Sequence, residues 1–92
     1  MTVQNWYLMY SASRRDPRIN QQIVVSHNTA LAANRIVLKA RNPALFCLPA
    51  QYVFDPGSAA DAFAGWVRSA RQPVPSVVDA YRLYLRATYP CG

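Results

Sequence analysis

The stretch INQQIVVSHNTALAANRIVLKA, Ile19 to Ala40, decides the fold. Ile23, Val24, His27, Ala30, Leu31, Asn34 and Leu38 recur at three- and four-residue intervals, which places them on one stripe of an α-helix. Lys39 and Arg41 suit the C-terminus of that helix, where the backbone carbonyls favour positive charge. Asn42-Pro43 then breaks it.

Three further helical patterns surround this one. Val3, Trp6, Tyr7 and Tyr10 share a face in a segment from about Val3 to Ser13, which Arg14-Arg15-Asp16-Pro17 ends. A third helix, capped by Asp55 or Ser58 with Pro56 near its first turn, runs to about Arg71 with Ala59, Phe63, Trp66, Val67 and Ala70 on one face. Gln72-Pro73-Val74-Pro75 reads as a stiff turn. Ser76 then caps a fourth helix with Val77, Val78, Tyr81, Leu85 and Thr88 as its stripe, and Pro90 stops it. Between the second and third helices, residues 42–57 form a proline-punctuated connection in which Tyr52-Val53-Phe54 reads as a short extended or buried piece. The expected architecture is all-α, a compact single-domain bundle of about four helices spanning residues 1–92.

At 92 residues with 52% hydrophobic side chains, the chain has material for one core. No stretch has the run of apolar residues that a membrane-spanning helix needs. The charge is one-sided, with nine Arg, one Lys, four Asp and no Glu, for a formal net charge of +6. Such a balance favours an acidic partner, although the basic residues are spread along the chain. Arg14-Arg15-Asp16-Pro17-Arg18 is their densest cluster, and the aromatics fall at core spacing instead of interleaving with it. A nucleic-acid binder is therefore a minority reading, and none is expected as partner.

The two cysteines are Cys47, in Leu45-Phe46-Cys47-Leu48-Pro49, and Cys91, in Tyr89-Pro90-Cys91-Gly92. They read more easily as one disulfide than as a catalytic or metal site, which places the protein in an oxidising compartment. A Cys–His nucleophile would need His27, the single histidine, beside a cysteine with an orienting third group. Cys91 is penultimate and Cys47 lies in a proline-flanked loop, so a catalytic pair is disfavoured. Of the four carboxylates, Asp16, Asp55 and Asp61 have turn, cap or first-turn positions. One His and two distant Cys do not make a metal set, and the isolated glycines make no phosphate loop. No catalytic residue, metal or cofactor is expected.

From the second helix onward the chain resembles a known family. Leu31-Ala32-Ala33-Asn34, Pro43-Ala44-Leu45-Phe46-Cys47-Leu48-Pro49, Trp66-Val67 and Tyr84-Leu85-Arg86-Ala87-Thr88-Tyr89-Pro90-Cys91 are similar, in order, to the motifs of the Rap/Tai group of small exported immunity proteins. The long helix departs from that pattern, with Ser26-His27-Asn28 where small glycines are usual. The resemblance implies a helical periplasmic protein with Cys47 paired to Cys91. It implies an antidote that blocks the active-site cleft of a peptidoglycan amidase delivered by a type VI secretion system, commonly working as a homodimer. Met1-Thr-Val-Gln-Asn lacks the basic and apolar regions of a signal peptide, so the export reading expects a leader already removed. Candidate partner contacts are Arg68, Arg71 and Gln72 at the end of the third helix and beyond, with Tyr52 and Phe54 in the connection. The competing expectation is a periplasmic helical adaptor with the same frame and no amidase partner.

Overall fold

The computed structural model describes residues 1–70 and 76–91. Among them the chain forms four helices, α1 (Val3–Ala12), α2 (Pro17–Lys39), α3 (Pro56–Ser69) and α4 (Val77–Thr88), and no strand. An isolated antiparallel bridge joins Thr2 to Ser76, and Val77 N donates to Met1 O at 3.1 Å. The all-α reading and the helix order match the sequence expectation. The expected turn at residues 72–75 lies outside the described residues, as does Arg71. No helix among the described residues is long and apolar enough to cross a membrane.

Each helix starts on a short polar side chain that accepts a hydrogen bond from an otherwise unpaired N–H of the first turn. Thr2 accepts from Asn5, Asp16 from Arg18, Asp55 from Ser58 and Ser76 from Asp79. α2 begins two residues before the expected Ile19. Pro17 lacks an N–H and has its φ preset near the helical value, so it serves as the first residue of α2 as well as ending α1. The cap of α3 is Asp55, one of the two residues the sequence offered. At the other end of α2, Asn42 N donates to Val37 O at 2.8 Å and Arg41 N to Leu38 O at 3.0 Å. This paired closure requires a left-handed residue, and Arg41 takes that role at φ 61° where glycine is the usual occupant.

The core is aromatic and lies where all four helices meet. Trp6, Ile19, Ile23, Phe46, Phe63, Val77, Tyr81 and Leu85 are fully buried. Phe63 meets Trp6 edge-on at 5.0 Å and lies 5.4 Å from Tyr81 and 5.8 Å from Tyr84. The Trp6 indole N–H donates to Ile19 O at 3.2 Å, giving that buried donor an acceptor. Burying each such large side chain contributes roughly 1.5–3 kcal/mol, the main favourable term for a bundle of this size.

α2 and α4 pack against each other. α1 is tied to both, through Trp6 to Ile19 and through Met1 to Val77, and the connection after α2 is tied to both as well, through Asn34 to Phe46 and through Cys47 to Tyr89. A clasp on Arg14 fixes the α1–α2 corner to α3. Its Nε donates to Asp61 Oδ1 at 2.8 Å, its Nη2 to Gly57 O at 2.9 Å and its Nη1 to Asn20 Oδ1 at 3.4 Å. The Tyr10 hydroxyl donates to the same Asp61 oxygen at 2.8 Å.

Two stripe assignments are corrected. Leu38 is 52% exposed, because the connection returns to α2 at Asn34, one turn earlier. Thr88 is exposed, whereas Tyr84, absent from the expected stripe, is buried. Val77, Tyr81 and Tyr84 follow an i, i+4, i+7 pattern that the sequence contains, and the bulk of Tyr84 fills the gap beside Phe63 and Trp66.

Candidate functional site

The connection between α2 and α3 carries little regular structure, so side chains and a covalent bond hold it. Asn34 Oδ1 accepts from Leu45 N at 2.8 Å and its Nδ2 donates to Phe46 O at 3.2 Å. Cys47 N donates to Tyr89 O at 2.8 Å, and Cys47 and Cys91 form a disulfide with Cα atoms 5.0 Å apart. The expected bond is therefore present, and both sulfurs are committed to it. No thiolate remains for the disfavoured Cys–His pair.

Beyond this anchorage, the side chains of Tyr52-Val53-Phe54 alternate in exposure. Tyr52 and Phe54 turn toward α2 and Val53 turns out, 83% exposed. Phe54 stacks on the His27 ring with centroids 3.8 Å apart and planes within 6°. Tyr52 stacks on His27 at 5.9 Å, and Tyr81 approaches the imidazole edge-on at 6.1 Å. His27 is 4% exposed and its Nδ1 has no protein partner. Desolvation by burial pushes its pKa below the ordinary histidine value. His27 is thus a neutral core ring, the role its place on the α2 stripe suggests.

Tyr52 also borders a cleft of about 360 Å³, lined by Tyr52, Val53, Asp55, Ser58, Ala59, Ala62, Tyr84 and Tyr89. Tyr52 and Tyr89 meet edge to face at 5.4 Å with planes 81° apart. The Tyr52 and Tyr84 phenols are raised above their ordinary pKa, chiefly by burial, and stay protonated. Asp55 is lowered by its hydrogen bonds from Ser58 and is ionised at neutral pH.

Arg68 stands apart from this cleft. It is exposed in the last turn of α3, six residues and about 9 Å along the helix from Ala62. Its Nε donates to the Tyr7 hydroxyl at 3.2 Å, linking α3 to α1. Arg71 and Gln72 lie outside the described residues. The three candidate partner residues that are described therefore fall on two regions, Arg68 at the end of α3 and Tyr52 and Phe54 in the His27 layer. Tyr84, Tyr89 and Asp55, which line the cleft, were not singled out as site residues; Asp55 was legible as a cap and Tyr84 as part of a stripe. Among the described residues no three His, Cys, Asp or Glu side chains group to hold a metal ion.

The chain matches no protein-family model, no curated protein and no solved structure.

Proposed function

We propose that this protein is an exported immunity protein that binds a peptidoglycan amidase toxin of a type VI secretion system and occludes its active-site cleft. The observation that carries the reading is the Cys47–Cys91 bond, which ties together the two motif segments on which the family resemblance rests. A covalently stapled frame also suits life in an oxidising compartment such as the periplasm. In this proposal a net charge of +6 steers the protein toward an acidic rim, and Arg68, with Arg71 and Gln72 next in sequence, forms the electrostatic contact. Tyr52 and Phe54 pack on His27 in a separate region, so their part is to hold the connection in place. The protein acts by steric occlusion, commonly as a homodimer in proteins of this pattern, and needs no cofactor.

The test is binding to a small Cys–His peptidoglycan amidase, taken from the neighbouring gene where that gene encodes one, measured with and without salt. Inhibition of peptide-bond cleavage at one inhibitor per active site is expected, with association slowed by charge reversal at Arg68 and Arg71. Absence of any complex with that amidase overturns the reading in favour of the adaptor alternative. Binding unaffected by both charge reversals removes the arginines from the contact.

A further inference from the structure

We propose that the cleft between the Tyr52-Val53 segment, the first turns of α3 and the end of α4 binds an organic cation, a guanidinium or ammonium group on an apolar stem. The cleft has the size of a small-ligand site, about 360 Å³, and three tyrosine rings in its wall. Aromatic faces carry negative electrostatic potential and attract a cation within about 6 Å of the ring centroid. Tyr52 and Tyr89 meet in this wall with their planes 81° apart.

The charged group at this wall is the Asp55 carboxylate. Asp16, Asp61 and Asp79 each have an arginine within salt-bridge distance. Among the described residues Asp55 is the acidic side chain without one, although the chain carries ten basic residues. Its Oδ2 accepts from Ser58 N at 3.0 Å, and the Ser58 side chain also hydrogen-bonds this carboxylate. Arg14, whose Nη2 lies on the same side of Gly57 as Asp55 Oδ2, donates to Asp61, Asn20 and the Gly57 carbonyl, with no direct hydrogen bond to Asp55 among the described residues.

An anion fits poorly here. The site abuts the start of α3, but Pro56 has no N–H, Ser58 N is already taken and the Asp55 charge repels a second anion. The overall positive charge opposes a cation only at long range, where physiological salt screens it beyond about 8 Å. Contact with Asp55 and the rings dominates within the cleft. This inference goes beyond the amidase reading and stands on the cleft alone, so a small-molecule titration decides it whether or not any toxin binds.

The experiment is a 15N–1H NMR titration of the full oxidised chain with three probes. These are n-butylguanidinium, acetyl-Gly-Arg-Gly amide, and acetyl-Gly-norleucine-Gly amide as the neutral counterpart. Saturable shifts at Val53, Asp55, Ser58, Ala59 and Tyr89 are expected with either cation and not with the neutral peptide. Tighter binding of the arginine peptide assigns the site to a basic side chain of a partner protein. Binding of butylguanidinium as tight or tighter assigns it to a free small molecule. Asp55→Asn is expected to weaken either cation about tenfold while leaving the helix start intact, since asparagine caps as well as aspartate. Tyr89→Leu, which keeps apolar bulk and removes the ring face, is expected to weaken it similarly and serves if the Asp55 variant does not fold. Equal binding of the norleucine peptide, or full affinity in either folded variant, overturns the proposal. So does the absence of saturable shifts in the cleft.

Discussion

Replacing Cys47 and Cys91 together by serine is expected to lower the unfolding free energy by about 4 kcal/mol. The bond closes a loop across a sequence separation of 44 residues. For a loop of that length the chain-entropy relation removes roughly 13 cal/mol/K from the unfolded ensemble, or about 4 kcal/mol at 25 °C. A domain of this size has in total roughly 5–14 kcal/mol, so the loss takes between a third and most of it. Little of the effect should come from the folded side. Cys91 is exposed, and the Cys47 N to Tyr89 O bond and the Asn34 clasp hold the segment whether or not the sulfurs are joined. The assay is urea unfolding followed by far-ultraviolet circular dichroism on the oxidised protein, the dithiothreitol-reduced protein and the double variant. Reduced protein and variant should agree, both with a midpoint lowered by more than about 1 M and a steeper denaturant dependence, because the uncrosslinked chain expands further. A loss below about 1 kcal/mol with unchanged steepness would refute the entropic argument. A loss in the variant without one in the reduced protein would assign it to the serines.

Three further outcomes follow from individual residues. Asn34→Ala strips partners from Leu45 N and Phe46 O and should cost about 2–3 kcal/mol, whereas Asn34→Asp, which still accepts but cannot donate, should fall between; thermal unfolding of both variants checks the order. Burial lowers the His27 pKa in the fold, so the unfolded chain takes up the proton more readily. Its contribution is fully present above about pH 6.5 and is lost as pH falls through the folded value. The rings facing it belong to Tyr52, Phe54 and Tyr81, none of which titrates in that range. His27→Phe should flatten the stability slope between about pH 6.5 and 5, and an equally flat slope in the parent protein would contradict the account. Arg41→Gly should stabilise by about 1 kcal/mol, since glycine adopts the positive φ without the steric cost that arginine bears there; the shift in melting temperature reads it directly.

The helices were legible because each carries its own local signals. The caps at Asp55 and Ser76 and the 3.6-residue spacing of Ile23, His27 and Ala30 are short-range features that need no tertiary partner to be read. The start of α2 was misplaced because Asp16-Pro17 is equally a helix stop and a helix start, and only the packing of Ile19 under Trp6 decides between them. Leu38 and Thr88 continue their stripes in sequence and yet face solvent, since a stripe is covered only as far as neighbouring elements reach.

The candidate site divides along the same line. The sequence by itself determined the helix order, the aromatic content of the core and the pairing of its two cysteines, all of which depend on local pattern or on there being no other partner of that type. The tertiary structure alone decided that Tyr52 and Phe54 turn inward to stack on His27, that Tyr84 and Tyr89 from α4 and its cap border the same cleft as Tyr52, and that Asp55 stands there without a salt-bridged arginine among the described residues. Those contacts join residues some 25–37 positions apart, and their geometry depends on how an irregular segment is pulled down by Asn34 and the disulfide, which no local periodicity encodes.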